Sequence, residues 1–372
     1  MGVLINGLGT ALPAHAIAQH DAAVKAGVTC AAAGRQQQVV DRLYARSGVS
    51  SRSSVLLASS TNGRLAEQEF YQPTDVANPF GPTTAERMAV YCEEAPVLAR
   101  QAAAAALADA EVEPAAITHL VTVSCSGFAA PGVDVDLINS LPLSPTVQRT
   151  HIGYMGCHGA LNALRVARAF AAADPQASVL VAAVELCSLH FQYGWNPQRI
   201  VANSLFADGA AALVVSRQRA ADVSSPAWQV QDSFSMIFPD STGAMTWRIG
   251  DNGFEMSLSP AVPELIRSGL RAPLTEWLAR HGLSLSEVSH WAVHPGGPRI
   301  LDACEESLGM GSEALDASRH VLQTHGNMSS PTILFVLDEM RRRGQCEGVT
   351  VGLGFGPGLA MEAVLLTRSP RG

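Results

Sequence analysis

The sequence predicts an α/β protein in which helices cover largely buried sheets, and two observations carry this prediction. Apolar, β-rich runs alternate with alanine-rich helical stretches along the 372 residues, which is the pattern of layered α/β folds. The chain is 47% hydrophobic and only 16% charged, where an average soluble domain has about 25% charged residues. Such a chain can bury a large core, so disorder is excluded as its main character.

The predicted elements follow one another in a simple order. Residues 3–8 indicate a strand, and residues 89–110 indicate a long alanine-rich helix. The segment 49–82 between them is rich in Ser, Asn, Gly and Pro and predicts an irregular excursion. Further along, the pattern predicts a strand at 119–124, a helix at 157–172 and a strand at 179–184.

Charge and cysteine content exclude several classes of protein. The net charge is -8, and no basic cluster suggests a nucleic-acid partner. The apolar runs 178–186 and 210–215 are far shorter than the roughly 20 residues of a membrane span, and the first residues lack the pattern of a secretory signal. Seven widely spaced cysteines without a C-x-x-C pair argue against disulfides and structural zinc, so we expect a cytoplasmic protein with reduced thiols.

A faint internal repeat suggests two related halves. Residues 117–121 (ITHLV) resemble residues 288–292 (VSHWA) at an offset of 171, which also places Asn327 beside Cys157. A looser pair compares 206–209 (FADG) with 355–358 (FGPG). Short matches also arise by chance, so these residues alone leave duplication open.

Cys157 is the first residue that could carry chemistry. It lies in GYMGCHGA (153–160), where glycines flank it just before a helix rich in Ala, Leu and Arg. A thiol at a helix N-terminus meets free N–H groups and the positive end of the helix dipole, which favour the nucleophilic thiolate. The alternative is a small buried hydrophobic side chain, the usual environment of an unpaired cysteine.

His294 and Asn327 are the next candidates. His294 ends a predicted strand before a Pro-Gly-Gly turn, where it could act as a base or donate to an oxyanion. Asn327 precedes the apolar helix predicted at 332–340, and its amide could donate to a thioester oxygen or an enolate. The alternatives are a hydrogen-bonded structural histidine and a helix N-cap.

Two further patterns are weaker. The glycine-rich segment 352–358 lacks the Lys-Ser/Thr of a phosphate loop, so we interpret it as a turn that crosses close to an active site. Cys187 and His190 are three residues apart, but a metal site needs two more ligands at matching spacing and none is nearby.

Taken together, five segments resemble the type III polyketide synthases, the chalcone-synthase-like branch of the thiolase superfamily, over essentially the whole chain. These segments are the Cys157 corner, LFADGAAA (205–212), HPGGP (294–298), GNMSS (326–330) and GFGPG (354–358). The resemblance implies a homodimer with a five-layered αβαβα fold of two duplicated halves, placed here at residues 1–217 and 218–372.

The resemblance also implies a chemistry. Cys157 would take an acyl group from a starter CoA thioester. His294 and Asn327 would promote decarboxylation of malonyl-CoA and hold the enolate that attacks the acyl-Cys157 thioester. The CoA thioesters are substrates, and no metal or separate cofactor is expected.

Other positions carry over from the same resemblance. Phe206 matches a gatekeeper between the CoA tunnel and the cavity, and Arg42 and Arg46 match residues that contact the CoA phosphates, although both could be ordinary surface arginines. A third such position is Val39 here. Further substrate contacts are implied for Cys125, Ser126, Cys187, His190, Trp247, Met256, Ser329, Gly354, Phe355, Gly356 and Pro357.

Departures from the plant pattern concentrate around the cavity. Trp247 stands where a small glycine is usual, Met256 replaces a second gatekeeper Phe, and Ala130 replaces a Met that reaches across the dimer. A bulky Trp247 should limit or redirect the product. We therefore expect a bacterial-type enzyme that makes a pyrone, resorcinol or naphthol.

Two rival functions remain. A ketoacyl synthase III of fatty acid synthesis shares the fold and triad, but it usually reads Gly-Asn-Thr-Ser where this chain has Gly-Asn-Met-Ser-Ser. An inactive thiolase-fold binding protein is the rival from another class, and the intact triad argues against it.

Overall fold

The computed structural model describes residues 2–62, 64–217 and 228–368. The strands of this part of the chain are β1 (Val3–Ala11), β2 (Ala16–Ala18), β3 (Ser51–Ser53), β4 (His119–Ser124), β5 (Gln148–Gly153), β6 (Ser178–Leu186), β7 (Asp208–Ser216), β8 (Trp228–Ile237), β9 (Met245–Gly250), β10 (Gly253–Leu258), β11 (Val288–Val293), β12 (Val349–Gly356) and β13 (Ala360–Arg368). Its helices are α1 (Gln19–Thr29), α2 (Arg35–Ala45), α3 (Thr84–Ala110), α4 (Val133–Ser140), α5 (Gly159–Ala173), α6 (Pro197–Leu205), α7 (Val262–Gly269), α8 (Arg271–Ala279), α9 (Pro298–Leu308), α10 (Asp316–His325) and α11 (Thr332–Arg342).

Local sequence explains where the longest helix begins. The alanine run predicted a start at residue 89, but α3 begins at Thr84 because Thr83 and Glu86 form a capping box just before it. The Thr83 hydroxyl accepts the Glu86 N–H, and the Glu86 carboxylate accepts the Thr83 N–H at 2.7 Å. These bonds satisfy two N–H groups that a helix start would otherwise leave open.

Nine strands form one sheet in the order β11-β12-β13-β8-β1-β7-β6-β4-β5. In the N-terminal half, β1 is antiparallel to β7, β7 is antiparallel to β6, and β6 is parallel to β4. In the C-terminal half, β8 is antiparallel to β13, β13 is antiparallel to β12, and β12 is parallel to β11. The two halves therefore repeat one strand order and one set of directions, which agrees with the weak sequence repeat.

The two halves meet at a short seam. Only Val3, Leu4 and Ile5 of β1 pair with β8, opposite Val230, Gln229 and Trp228 among the described residues. The boundary between the two halves is predicted after residue 217. Residues 218–227, which follow it directly, lie outside the described residues.

The helices add three layers to the two halves of the sheet. Helices α5 and α11 contact strands of both halves and form the middle layer. Alternate residues of β6 face opposite ways: Val181 packs toward the middle layer, and Leu180 packs toward α3 on the outside. Helices α7, α8 and α9 cover the outer face of the C-terminal half. This is the predicted five-layered αβαβα arrangement, and burial on both faces explains the high apolar content.

The described residues of the excursion predicted at 49–82 are irregular apart from the short strand β3. Its position matters, because Ser53, Leu57 and Tyr71 line a cavity of about 380 Å³. No helix among the described residues has the length and apolar character needed to cross a membrane.

Candidate active site

The corner that carries Cys157 lies between β5 and α5. Residues Gly156–His158 form a 3-10 turn, and the α-helix begins only at Gly159, so the helix predicted from Cys157 starts two residues later. Gly156 has a left-handed φ of 71°, and a Cβ there would lie 2.6 Å from Cδ of Pro357. Only glycine fits this contact, because both the backbone conformation and the space exclude a side chain.

His294 directly follows β11. Its backbone N–H donates to the Leu353 carbonyl at 2.7 Å, which continues the ladder with β12. The ring is buried with 1% exposure, and neither ring nitrogen has a hydrogen-bond partner among the described residues. Buried polar groups normally have partners, so an imidazole with two open nitrogens marks a place where a ligand can bind.

Asn327 is held by its backbone and by its side-chain oxygen. Its N–H donates to the Leu205 carbonyl at 2.8 Å, and its carbonyl accepts the Ala207 N–H at 2.9 Å. Its Oδ1 accepts the Ser329 N–H at 2.8 Å. The amide nitrogen donates to no described residue, so it is available as a donor.

The three side chains converge on one small cavity. The Cys157 Sγ lies 4.0 Å from the Asn327 Oδ1. The cavity, of about 30 Å³, is lined by Cys157, Ala202, Leu205, Phe206, Met245, Met256, Leu258, His294, Gly296, Ile300, Asn327 and Phe355. The structure thus brings together residues 157, 294 and 327, which are up to 170 positions apart in the chain.

Burial sets the protonation of this site. It raises the pKa of the Cys157 thiol to about 11, although side-chain hydrogen bonding with Ser329 and Asn327 opposes the shift. The thiolate expected from the helix N-terminus is therefore not favoured in the free site. Burial, with nearby His158, also lowers the pKa of His294 to about 3, so this imidazole is neutral at physiological pH.

A larger cavity, of about 380 Å³, adjoins the first. Ala202, Phe206 and Met256 line both cavities and so form the partition between them. This is the place that the resemblance implies for the gatekeeper Phe206. The volume lies near the lower end of the usual 300–1,000 Å³ of small-molecule sites.

One wall of the larger cavity contains His190 and Trp247. The His190 ring stacks on Phe254 at 4.2 Å between centroids and meets Trp247 edge-on. Its Nδ1 accepts the Phe254 N–H at 2.9 Å, so Nε2 carries the proton and donates to the Ser126 carbonyl at 2.6 Å. Burial lowers the pKa of His190 to about 3, which keeps this neutral form.

Cys125 and Ser126 lie at the end of β4, but their side chains are engaged within the protein. The Cys125 Sγ is 3.3 Å from the Ser329 Oγ, and the Ser126 hydroxyl donates to Glu185 at 2.6 Å. Neither residue lines the two cavities in the described part of the chain. Ser126 was predicted as a substrate contact, and Glu185 instead occupies its hydroxyl.

Cys187 lines the larger cavity, and burial raises the pKa of its thiol. No group of three or more His, Cys, Asp or Glu side chains that could hold a metal ion occurs in the described structure. The His190 nitrogens are both used by backbone groups, which leaves no lone pair for a metal.

The glycine-rich segment crosses the Cys157 corner. Phe355 lines the small cavity, and a Cβ at Gly356 would lie 2.5 Å from the His158 ring. A Cβ at Gly354 would lie 3.3 Å from the His158 Cβ. The backbone at Gly354, Gly356 and Pro357 therefore packs closely against this corner. The Phe355 side chain is the one from this segment that lines the small cavity.

Arg42 and Arg46 lie at the exposed C-terminal end of α2, and neither lines a cavity described above. Arg46 is two residues before Gly48, where a Cβ would lie 3.7 Å from Pro298. Pro298 neighbours Gly296 and Ile300 of the small cavity. Arg46 is therefore on the chain segment that approaches Pro298, and its own side chain is exposed.

Sequence reasoning missed two buried charged residues. Glu185 is fully buried and accepts from Cys125 N, Ser126 and Ser330. Arg52 donates to the carbonyls of Asn203 and Phe206 at 2.7 and 3.1 Å and so fixes the partition. Neither residue stands in a motif, and their roles depend on contacts across 59 to 154 residues of chain.

Comparisons with known proteins agree with this arrangement. The family model for the N-terminal domain of chalcone and stilbene synthases matches residues 2–218, and the model for their C-terminal domain matches residues 229–370. The chain is 33% identical over 366 residues to the alpha-pyrone synthesis polyketide synthase-like Pks18 of Mycobacterium tuberculosis, covering 97% of this chain and 90% of that protein.

Solved structures show the same likeness. PKS-I from the brown alga Ectocarpus siliculosus superposes with a TM-score of 0.91 at 29% identity, covering 99% of this chain and 98% of that one. The C-terminal type III polyketide synthase domain of Steely1 from Dictyostelium gives 0.87 at 27% identity, covering 99% of both chains. The chain therefore belongs to the chalcone and stilbene synthase family and is a type III polyketide synthase, an acyltransferase that condenses malonyl-CoA onto an acyl-CoA starter.

Proposed function

We propose that Cys157 holds the starter acyl group while His294 and Asn327 donate hydrogen bonds to the malonyl thioester oxygen. The observation that carries this assignment is their convergence on one buried cavity, where His294 has two open nitrogens and the side-chain contacts of Asn327 run through its Oδ1. Together they form a thiol nucleophile and two neutral donors, which is the set that an acyl-transfer and enolate site needs.

The proposed reaction has three steps. The Cys157 sulfur, losing its proton, attacks the starter thioester, and CoA leaves as its thiol. The bond from the malonyl C2 to its carboxylate then breaks, CO₂ departs, and the electron pair forms an enolate whose oxygen faces the His294 and Asn327 donors. The enolate carbon attacks the acyl-Cys157 carbonyl and expels the thiolate.

The low pKa of His294 matters in the second step. A neutral imidazole stabilises the enolate through an N–H bond, whereas an imidazolium could protonate the carbanion and end the condensation. We propose that no metal or separate cofactor takes part, because the loss of CO₂ itself supplies the electron pair.

The proposed product is an α-pyrone from an acyl starter with an extended apolar part. Apolar side chains form most of the larger cavity, including Ile17, Leu56 and Phe254, and Pks18 is named for α-pyrone synthesis. The test is incubation with malonyl-CoA and a panel of acyl-CoA starters, with products identified by mass spectrometry and Cys157→Ala as the control. We expect tri- or tetraketide pyrones; a single condensation onto acyl carrier protein would contradict the proposal.

We propose that Arg42 and Arg46 attract the CoA phosphates. Both side chains are exposed, and Arg46 is two residues before Gly48, which packs next to Pro298. Arg42→Gln and Arg46→Gln should raise the KM for malonyl-CoA and weaken its dependence on salt, with Arg100→Gln on the outer helix α3 as control. An unchanged KM in both variants would remove these arginines from CoA binding.

We also propose a homodimer that acts in the cytoplasm. Strand β5 has β4 on one side and no described strand on the other, and the exposed side chains of Phe128, Tyr154 and Met155 lie in adjoining loops. An open edge with apolar neighbours suits pairing with a second copy. Light scattering should give twice the 39.1 kDa chain mass, and a charged Tyr154→Glu variant should shift it toward the monomer. The seven unpaired cysteines support a reducing compartment.

A further inference from the structure

The larger cavity opens to the surface at a rim made by α1 and the irregular excursion. Val24, Val28 and Leu65 line it and are 42%, 48% and 47% exposed. Lys25 lies among them, half-buried, and it is the only lysine in the chain. One end of the cavity therefore meets Phe206 and the reactive site, and another end meets a lysine set in apolar surface.

The charges that face this cavity are all positive. Its lining includes Lys25, Arg52 and Arg199 and no Asp or Glu among the described residues. Arg199 pairs with Glu255 at 3.1 Å, and Arg52 donates to two backbone carbonyls. Lys25 has neither an ion pair nor a hydrogen bond to a described residue, so its ammonium is the one cation of the lining left for a ligand.

We propose that the starter acyl group carries a carboxylate at the end remote from its thioester, and that Lys25 pairs with it at the rim. This inference rests on the proposed function, because the thioester end must reach Cys157 past Phe206. The apolar walls would bury the methylene chain, and a buried carboxylate needs a cationic partner, which Lys25 supplies. The preferred substrates are thus ω-carboxyacyl-CoA esters.

The first test compares starters of equal length that differ only at the far end. The ratio of kcat/KM for ω-carboxydecanoyl-CoA over undecanoyl-CoA should favour the carboxylate in the wild type. In Lys25→Met this ratio should fall about tenfold, as expected for one charge-assisted hydrogen bond. Lys25→Arg should keep most of the preference, and Arg100→Met on α3 should keep all of it.

The second test needs no turnover. Because Lys25 is the only lysine, acetylation by sulfo-N-hydroxysuccinimide acetate, read by peptide mass spectrometry, reports its accessibility separately from the N-terminal amine. We expect undecanedioate to slow this acetylation severalfold, while undecanol does not. Adenosine 3′,5′-bisphosphate is included because CoA phosphates are another source of anions.

The outcomes are distinct. Equal use of both starters, with a ratio unchanged in Lys25→Met, overturns the role of Lys25 and leaves the polyketide synthase assignment intact. Protection by the bisphosphate but not by undecanedioate also overturns it, since Lys25 would then serve CoA. If no starter of either kind is extended, the proposed function fails, and the acetylation assay still decides whether Lys25 binds a carboxylate.

Discussion

The indole N–H of Trp247 donates to the backbone carbonyl of Cys125 at 2.8 Å. This bond ties strand β9, which forms part of the cavity wall, to the end of β4. The ring also meets His190 and Phe254 edge-on, at 5.4 and 5.8 Å between centroids. The bulkiest residue of the cavity is therefore held in one orientation by partners on three separate segments.

Trp247→Gly should lengthen or broaden the polyketide products, because it removes the ring that limits the cavity volume. Product profiles by mass spectrometry provide the measurement. Trp247→Phe, which loses the hydrogen bond but keeps most of the bulk, should retain the parent chain length. An unchanged profile in Trp247→Gly would remove this residue from the determinants of product length.

Cys157→Ala should abolish chain extension and leave some decarboxylation of malonyl-CoA. The donors of His294 and Asn327 are still present in this variant, so the enolate can form, but no acyl group is held for it to attack. Measuring ¹⁴CO₂ release and polyketide formation in the same reaction separates decarboxylation from chain extension. Cys92→Ala, at an exposed cysteine, is the control; full-length product from Cys157→Ala would contradict the assignment.

Alkylation of Cys157 by iodoacetamide should accelerate steadily with pH. Its pKa is raised to about 11, so the thiolate fraction grows about tenfold for each pH unit below that value. Cys157 is buried, so we expect it to react slowly near neutral pH and the exposed Cys92 to react first. A Cys157 rate that levels off below pH 8, or that exceeds the Cys92 rate at pH 7, would refute this expectation.

Acid should destabilise the fold through buried neutral histidines. The pKa values of His190 and His294 are lowered to about 3, whereas an unfolded histidine titrates near 6.5. Between these values the unfolded state binds protons that the folded state does not, so stability is lost as pH falls from about 6.5 to 3. Each histidine contributes a slope of about 1.4 kcal/mol per pH unit.

Urea unfolding of the wild type and His294→Gln between pH 4.5 and 7 measures this effect. The free energy of unfolding of the variant should depend less steeply on pH, by about 1.4 kcal/mol per pH unit, because one histidine fewer takes up a proton on unfolding. Equal slopes would mean that His294 is protonated in the folded protein, which would also weaken its proposed role as a neutral donor.

Glu185→Gln should lower the free energy of unfolding by about 1–3 kcal/mol. Both carboxylate oxygens of Glu185 accept hydrogen bonds, from Cys125 and Ser126 N–H groups and from the hydroxyls of Ser126 and Ser330. A glutamine NH₂ would face these donors with donors of its own. Chemical denaturation gives the measurement, and Glu111→Gln, at the exposed end of α3, should be neutral.

Much of the fold could be predicted because it depends on local patterns. Strand β4 spans His119–Ser124 as predicted, since the segment alternates Leu120, Val121 and Val123 with small or polar residues and is buried on both faces. The Cys157, His294 and Asn327 corners were also identified, because Gly and Pro mark turns directly in the sequence. In the structure these corners lie around one cavity.

The protonation of the site could not be predicted in this way. The sequence shows that Cys157 precedes a helix, and this predicted a thiolate, but the opposing desolvation depends on residues packed from distant segments such as Phe206 and Phe355. The role of Ser126 was missed for the same reason, since Glu185 lies 59 residues further along the chain.

The division of the site between the two halves has a practical consequence. The nucleophile comes from the segment 2–218 that matches the N-terminal domain, and both proposed donors come from the segment 229–370 that matches the C-terminal domain. Among the described residues, the strand pairing between β1 and β8 that joins the halves involves three residue pairs. Two separately expressed fragments would each carry an incomplete set of reacting groups. Polyketide formation on mixing them would then work as a split-enzyme reporter, with product appearing only where the fragments dock.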